Sequence, residues 1–137
     1  MTEFTSEIKT IPYSETDIFN TLSDLNNLER MREKIPQDKI SDLSFDKDSC
    51  SFSVNPVGKI RFSIVDREPN SVIKMKADES PVEIFFQVQL KQITENDTEM
   101  ELSVKAELNP FIKPMVSRPM QAGLDKIADI LATISYK

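Results

Sequence analysis

From Glu99 to Leu108 apolar and polar residues alternate without exception: Met100, Leu102, Val104, Ala106 and Leu108 against Glu99, Glu101, Ser103, Lys105 and Glu107. A two-residue period puts one set on each face of a β-strand, here one dry and one wet. The arrangement recurs in Cys50, Phe52 and Val54, in Ile60, Phe62 and Ile64, and in Ile84, Phe86, Val88 and Leu90, while Ile73, Met75 and Ala77 join it. Turn signals at Asp46 to Asp48, Val57-Gly58, Pro69-Asn70, Glu79 to Pro81 and Glu95 to Asp97 divide Lys39 to Leu108 into six strands. Connections this short predict an antiparallel meander with one apolar face.

Residues 2 to 11 read as a preceding strand, with Phe4, Ser6, Ile8 and Thr10 on one side. A helix over 15–23 follows, because Ser14 can cap its first turn, Asp17 stands at the third helical position and Tyr13 can staple to Ile18. Its apolar side is Ile18, Phe19 and Leu22; Asp24 caps a second short helix carrying Leu25, Leu28 and Met31, which Pro36 ends. At the other end of the chain Met120, Leu124, Ile127, Leu131 and Ile134 form a stripe along one side of a helix, with Gln121, Asp125, Lys126 and Asp129 elsewhere. That stripe is the remaining surface able to cover the sheet.

The stretch leading into the last helix, NPFIKPMVSRPM, sets three prolines among Phe111, Ile112, Met115 and Val116. An interior proline loses a hydrogen bond and clashes with the turn before it, costing about 3 kcal/mol, so Pro114 and Pro119 argue for a late start. Asn109 before Pro110 would cap one short turn, Ser117 would cap the long helix with Pro119 in its first turn, and the apolar residues between would lie on an irregular connection. Gly123 inside this helix suggests close approach to the sheet or room for a ligand.

Strand, two small helices, six strands and a long C-terminal helix is the order of the helix-grip fold. The whole chain resembles the START-like, pollen-allergen-like SRPBCC superfamily, with local support in IKTIPYSETDIFNTLSD, residues 8 to 24, which is similar to the family's strand, proline, apolar pair and Leu-Ser-Asp exit; Phe19 stands where many relatives have Trp. The resemblance implies an α+β fold, a seven-stranded curved antiparallel sheet around the last helix, with a tunnel for hydrophobic ligands between them. It also implies that some relatives cyclise polyketides. The irregular connection lies where the family's tunnel opens, which nominates Phe111, Met115 and Met120 as a pocket rim; the opposing reading is that they close the end of the core. Methionines suit ligands of variable shape, being flexible and polarisable.

Composition narrows the chemistry. With 137 residues and no interrupting linker, one domain spanning 1–137 is expected. Seventeen basic residues against 23 acidic give a net charge of −6, which disfavours nucleic acid as a partner. Lys59, Arg61, Arg67, Lys74 and Lys76 could gather on neighbouring strands, although such charges are usually a solvated face. No apolar run is long enough for a membrane span and no secretory leader is evident, so a cytoplasmic home is the default.

No histidine is present, and the lone Cys50 cannot make an intrachain disulfide or supply the usual zinc ligands, so neither metal nor cofactor is expected. Two glycines cannot build a phosphate-cradling loop. Asp66, in phase with Ile60, Phe62 and Ile64, is the one acid predicted to point inward, though a turn-adjacent Asp commonly ends a strand in water. Cys50 without a histidine reads as a small hydrophobe, and Tyr13 and Tyr136 lie near element ends. Phe85 breaks the polar alternation and makes a candidate homodimer contact with Val65 or Val72.

Three functions remain open. A binder or carrier of a small hydrophobic molecule would use an inner wall of Phe52, Phe62, Ile64, Met75, Phe86, Leu102 and Leu124. A cyclase-like enzyme would need inward polar groups, for which only Ser6, Thr10, Cys50 and Asp66 qualify by parity; no catalytic residue is assigned. An interaction module would instead have a filled core.

Overall fold

The strands form one curved antiparallel sheet in the computed structural model of the chain, which describes residues 1–34, 40–54, 58–79 and 82–136. In chain order the elements are β1 (Thr2–Thr5), β2 (Lys9–Ile11), α1 (Glu15–Leu22), a 3-10 helix (Leu25–Lys34), β3 (Ile40–Phe45), β4 (Ser49–Val54), β5 (Gly58–Glu68), β6 (Val72–Glu79), β7 (Ile84–Thr94), β8 (Asp97–Ala106) and α2 (Lys113–Thr133). The sheet runs β1-β8-β7-β6-β5-β4-β3, with β2 also paired to β8. Pro36, Val57 and Pro81, assigned above to a helix end and two turns, lie outside the described residues.

The expected first strand is two segments, which makes eight strands of the predicted seven. Thr5 pairs with Ser103 but Lys9 with Met100, so the register slips by one residue between them. Ser6 holds the break together: its amide donates to the Leu102 carbonyl at 2.8 Å and its hydroxyl oxygen accepts from the Leu102 amide at 2.9 Å. A one-residue slip reverses the faces. Phe4 and Ser6 point inward as predicted, whereas Ile8 and Thr10 are exposed and Ile11 is fully buried in their place.

Local signals set the next elements. The Ser14 hydroxyl oxygen accepts from the Asp17 amide at 3.2 Å, starting α1, and Asp24 accepts from the Asn26 amide at 3.0 Å. Leu25, Leu28 and Met31 recur every third residue, the repeat of a 3-10 helix, and all three pack on the core. Between β5 and β6 the Ser71 amide donates to the Glu68 carbonyl, and Asn70 takes a positive φ of 64° behind Pro69, as a type II turn requires.

α2 departs most from the sequence reading. It begins at Lys113 rather than near Arg118, so Pro119 is interior and Met115 and Val116 are helical. The Asn109–Pro110 turn before it forms as expected, the Asn109 side-chain oxygen accepting from the Phe111 and Ile112 amides and its carbonyl from Ile112 and Lys113, while Ile112 at the cap position of α2 makes no side-chain cap bond. Ser117 donates back to the Lys113 carbonyl at 2.6 Å instead of capping. Burial of Val116, together with the hydrogen-bonded Asn109 turn, holds the early turns despite the proline.

Further along, Leu124, Ala128, Ile130, Leu131 and Ile134 are buried against the sheet, where α2 packs on β1, β2 and β8. Gly123 approaches nothing: a Cβ built there would meet no atom within 4 Å. Gly123→Ala is therefore expected to raise stability by up to about 1 kcal/mol, since an exposed helical glycine carries only its backbone entropy. A chemical denaturation curve with an unchanged slope and a higher midpoint would show it. Beyond α2, Tyr136 is buried, meets the Tyr13 ring edge-on at 5.7 Å and donates its hydroxyl to the Leu131 carbonyl. Burial pushes its phenol upward in pKa.

Candidate functional site

The inner face of the sheet carries an aromatic row. Phe52 on β4 stacks on Phe62 of β5 at 6.1 Å between centroids, and Phe62 meets Phe86 of β7 at 6.1 Å with a 56° tilt. Register explains the row: Cys50 and Phe52 face Phe62 and Ile60, Ile64 faces Met75, and Met75 faces Phe86. From the opposite side come Met120, Leu124 and Ile127 of α2.

Eight of the ten nominated residues thus join one apolar cluster: Phe52, Phe62, Ile64, Met75, Phe86, Leu102, Met120 and Leu124. They differ in burial. Leu102 is 0% exposed, core rather than wall, whereas Phe52, Ile64, Phe86 and Met120 remain half-buried although they point inward. The other two are placed elsewhere. Phe111 is 88% and Met115 66% exposed, and neither joins the cluster.

At the end of the sheet, where β6 passes to β7 and β8 to α2, lies an open cleft of about 620 Å³. Ala77, Val82 and Leu108 line it and also pack on the apolar cluster, while Asp78, Glu83, Glu107 and Asn109 edge it. The Glu107 amide bonds the Glu83 carbonyl at 2.9 Å, tying the two connections together. Arg61 lies 3.6 Å from Asp78, and Lys76 lies 3.9 Å from Glu83. Of these lining residues the sequence marks Ala77, Glu107, Leu108 and Asn109 one by one, but only folding brings them together.

The polar candidates are accounted for. Asp66 is exposed: β5 slips by one residue between Ile64, opposite Met75, and Asp66, opposite Lys74, so the extra residue Val65 carries Asp66 to the outer face. Thr10 is turned outward by the β1–β2 slip, and Ser6 spends its hydroxyl on Glu7 and Leu102. Cys50 does face inward, half-buried, and desolvation with a smaller push from Asp46 raises its thiol to about 11. No shared cluster of metal-ligating side chains forms among the described residues.

The thiol yields a prediction. An unfolded cysteine ionises near 8.5, so between there and about 11 unfolding releases a proton; this contribution to stability is intact at lower pH and lost as pH rises. Native protein at about pH 8 is expected to resist an aromatic disulfide reagent and to react fully once denatured. Rapid reaction of the native chain would show an open, ionised thiol instead.

Outside, four of the five nominated basic residues are paired with acids. Arg67 pairs with Asp48, Lys74 with Glu68 at 3.3 Å, and Arg61 and Lys76 with the cleft carboxylates. Phe85 is half-buried beneath Lys76, whose ammonium lies 5.6 Å from the ring centroid. Val72 lines a separate cleft of about 270 Å³ with Ile8. Among the described residues no helix is long and apolar enough to cross a membrane.

No family profile and no curated protein matches the sequence. Solved structures do match in shape. A START superfamily protein from Mycobacterium smegmatis superposes with a TM-score of 0.71 at 12% identity, covering 95% of this chain and 94% of its own. Norcoclaurine synthase from Thalictrum flavum gives 0.70 at 15%, covering 96% and 84%, and a protein from Thermus thermophilus gives 0.67 at 14%, covering 96% and 94%. With the antiparallel sheet, the two small helices after its first strand and the long C-terminal helix packed on it, these superpositions establish that the chain has the START-like helix-grip fold.

Proposed function

We propose that the chain binds a small hydrophobic molecule between the inner sheet face and α2, reached through the cleft beside Leu108 and Asn109. One observation carries this reading: Phe52, Ile64, Phe86, Val104, Met120 and Ile127 pack on the core from opposite sides yet stay half-buried. Residues that merely filled a core would lose that exposure. The neighbouring cleft, at about 620 Å³, falls within the size of small-molecule sites. The norcoclaurine synthase of the same fold has been solved with dopamine and hydroxybenzaldehyde, both small aromatic molecules.

Binding is favoured over cyclisation because, of the four polar candidates named from the sequence, only a bonded serine and a protonated thiol stay inside, and the fully buried Thr98 hydroxyl is spent on the Tyr13 carbonyl. None of these is a ready general acid or base near neutrality. A carrier needs only the apolar wall.

Methionine-methyl NMR tests the site, since the chain has six methionines. Titration with an apolar aromatic compound is expected to shift Met75 and Met120 while leaving Met31, in the 3-10 helix, in place. Native mass spectrometry of purified protein is expected to reveal a co-purifying apolar molecule. Shifts confined to Met1 and Met115, both on the surface, would refute the internal site.

A further inference from the structure

The start of α2 presents an apolar and basic surface that the internal site does not use. Phe111 and Met115 are the two most exposed large hydrophobic residues described, and their four-residue spacing sets them on one side of the turn and the helix it opens. Lys113 and Arg118 are exposed beside them and are the only charged residues between Leu108 and Leu124. Neither forms an ion pair among the described residues, unlike Arg61, Arg67, Lys74 and Lys76. Pro110, Pro114 and Pro119, also exposed, contribute no amide hydrogens, so this surface has few donors needing water.

We propose that residues 110–119 dock the protein, shallowly and reversibly, on an anionic phospholipid surface. Phe111 and Met115 enter the interfacial layer while Lys113 and Arg118 contact lipid phosphates. Charge complementarity selects this occupant. A chain of net charge −6 is repelled by an anionic bilayer as a whole, so attachment requires a local segment free of acids that joins apolar to basic side chains. Residues 108–124 are such a segment. Asp78, Glu83 and Glu107 edge the cleft close by in the chain's fold, which limits the contact to the helix start and keeps it weak. Because Asn109 both closes the turn before α2 and lines the cleft, docking would bring the cleft mouth to the lipid surface. The docking does not depend on what the cleft holds.

Vesicle flotation of the full chain tests it, comparing phosphatidylcholine alone with phosphatidylcholine containing about one-quarter phosphatidylglycerol. Binding is expected to the anionic vesicles only, and to fade at high salt as the charges are screened. Phe111→Asp is expected to weaken binding at least about tenfold, and Lys113→Gln or Arg118→Gln about fivefold each. All three residues are exposed, so the variants should melt with the parent protein. Absence of binding to anionic vesicles, equal binding to both compositions, or unchanged binding by these variants would overturn the proposal. So would sedimentation showing a dimer that Phe111→Asp dissociates, which would assign the surface to a second copy of the chain.

Discussion

Leu102→Ala is expected to lower the unfolding free energy by about 3 kcal/mol, the middle of the range for truncating a buried leucine. The residue is fully buried on β8, opposite Val88, in the strand that joins β7 to both N-terminal segments. Its side chain belongs to the closed part of the core, and its backbone anchors Ser6 through both of its polar groups. A cavity there has no route to solvent and cannot readily collapse, because paired strands fix its walls. For a chain of 137 residues the loss amounts to a fall in melting temperature of about 10 °C. Had Leu102 lined an open ligand space, truncation would cost under about 1 kcal/mol and would instead change ligand affinity. Thermal unfolding alongside the methionine-methyl titration separates the two, and a small stability loss would move Leu102 back to the pocket wall.

Pro119→Ala is expected to act in the opposite direction, raising stability by about 2 kcal/mol. Proline in a helix interior is about 3 kcal/mol worse than alanine, and the substitution returns up to about 1 kcal/mol of that through the freer unfolded chain. Pro119 lies seven residues into α2 by the helix bounds, so the Met115 carbonyl lacks its amide partner four residues on. Alanine restores that donor, and the exposed position of residue 119 means no packing is lost. An unchanged or lower denaturation midpoint would show that the helix starts after Ser117, with Pro119 in its first turn, where a proline costs nothing. The same result would weaken the placement of Phe111 and Met115 on the outside. Stability here therefore reports directly on geometry that matters for docking.

Much of the architecture can be read in the chain because its causes are local. A strand with one dry face must alternate, so Met100, Leu102 and Val104 and their counterparts on β4, β5 and β7 announce themselves. Ser14 and Asp17 are three residues apart, which is the reach of a cap, and Leu25, Leu28 and Met31 keep the period of the helix they form. Asn109 before Pro110 is likewise a turn written into neighbouring residues. The inner aromatic row follows from parity and hairpin order, which is why Phe52, Phe62 and Phe86 can be nominated without knowledge of their contacts.

What the sequence could not determine depends on partners distant along it. The slips that turn Thr10 and Asp66 outward arise where β2 meets β8 and β5 meets β6; along the chain they leave only a break in phase, Ile11 against Phe4 and Val65 beside Ile64, which does not identify the partner strand. The start of α2 is a contest between a local proline penalty and the burial of Val116 and the residues after it; propensity sees only the first. Exposure of Phe111 and Met115 is decided by whether any surface comes to cover them, and the cleft is lined by residues of two connections that meet only in the fold, joined by the Glu107–Glu83 backbone hydrogen bond. Periodicity thus determined which face of each element is apolar, since that is a property of the backbone repeat. Tertiary packing alone decided which apolar residues find a partner, since burial is a property of two surfaces meeting.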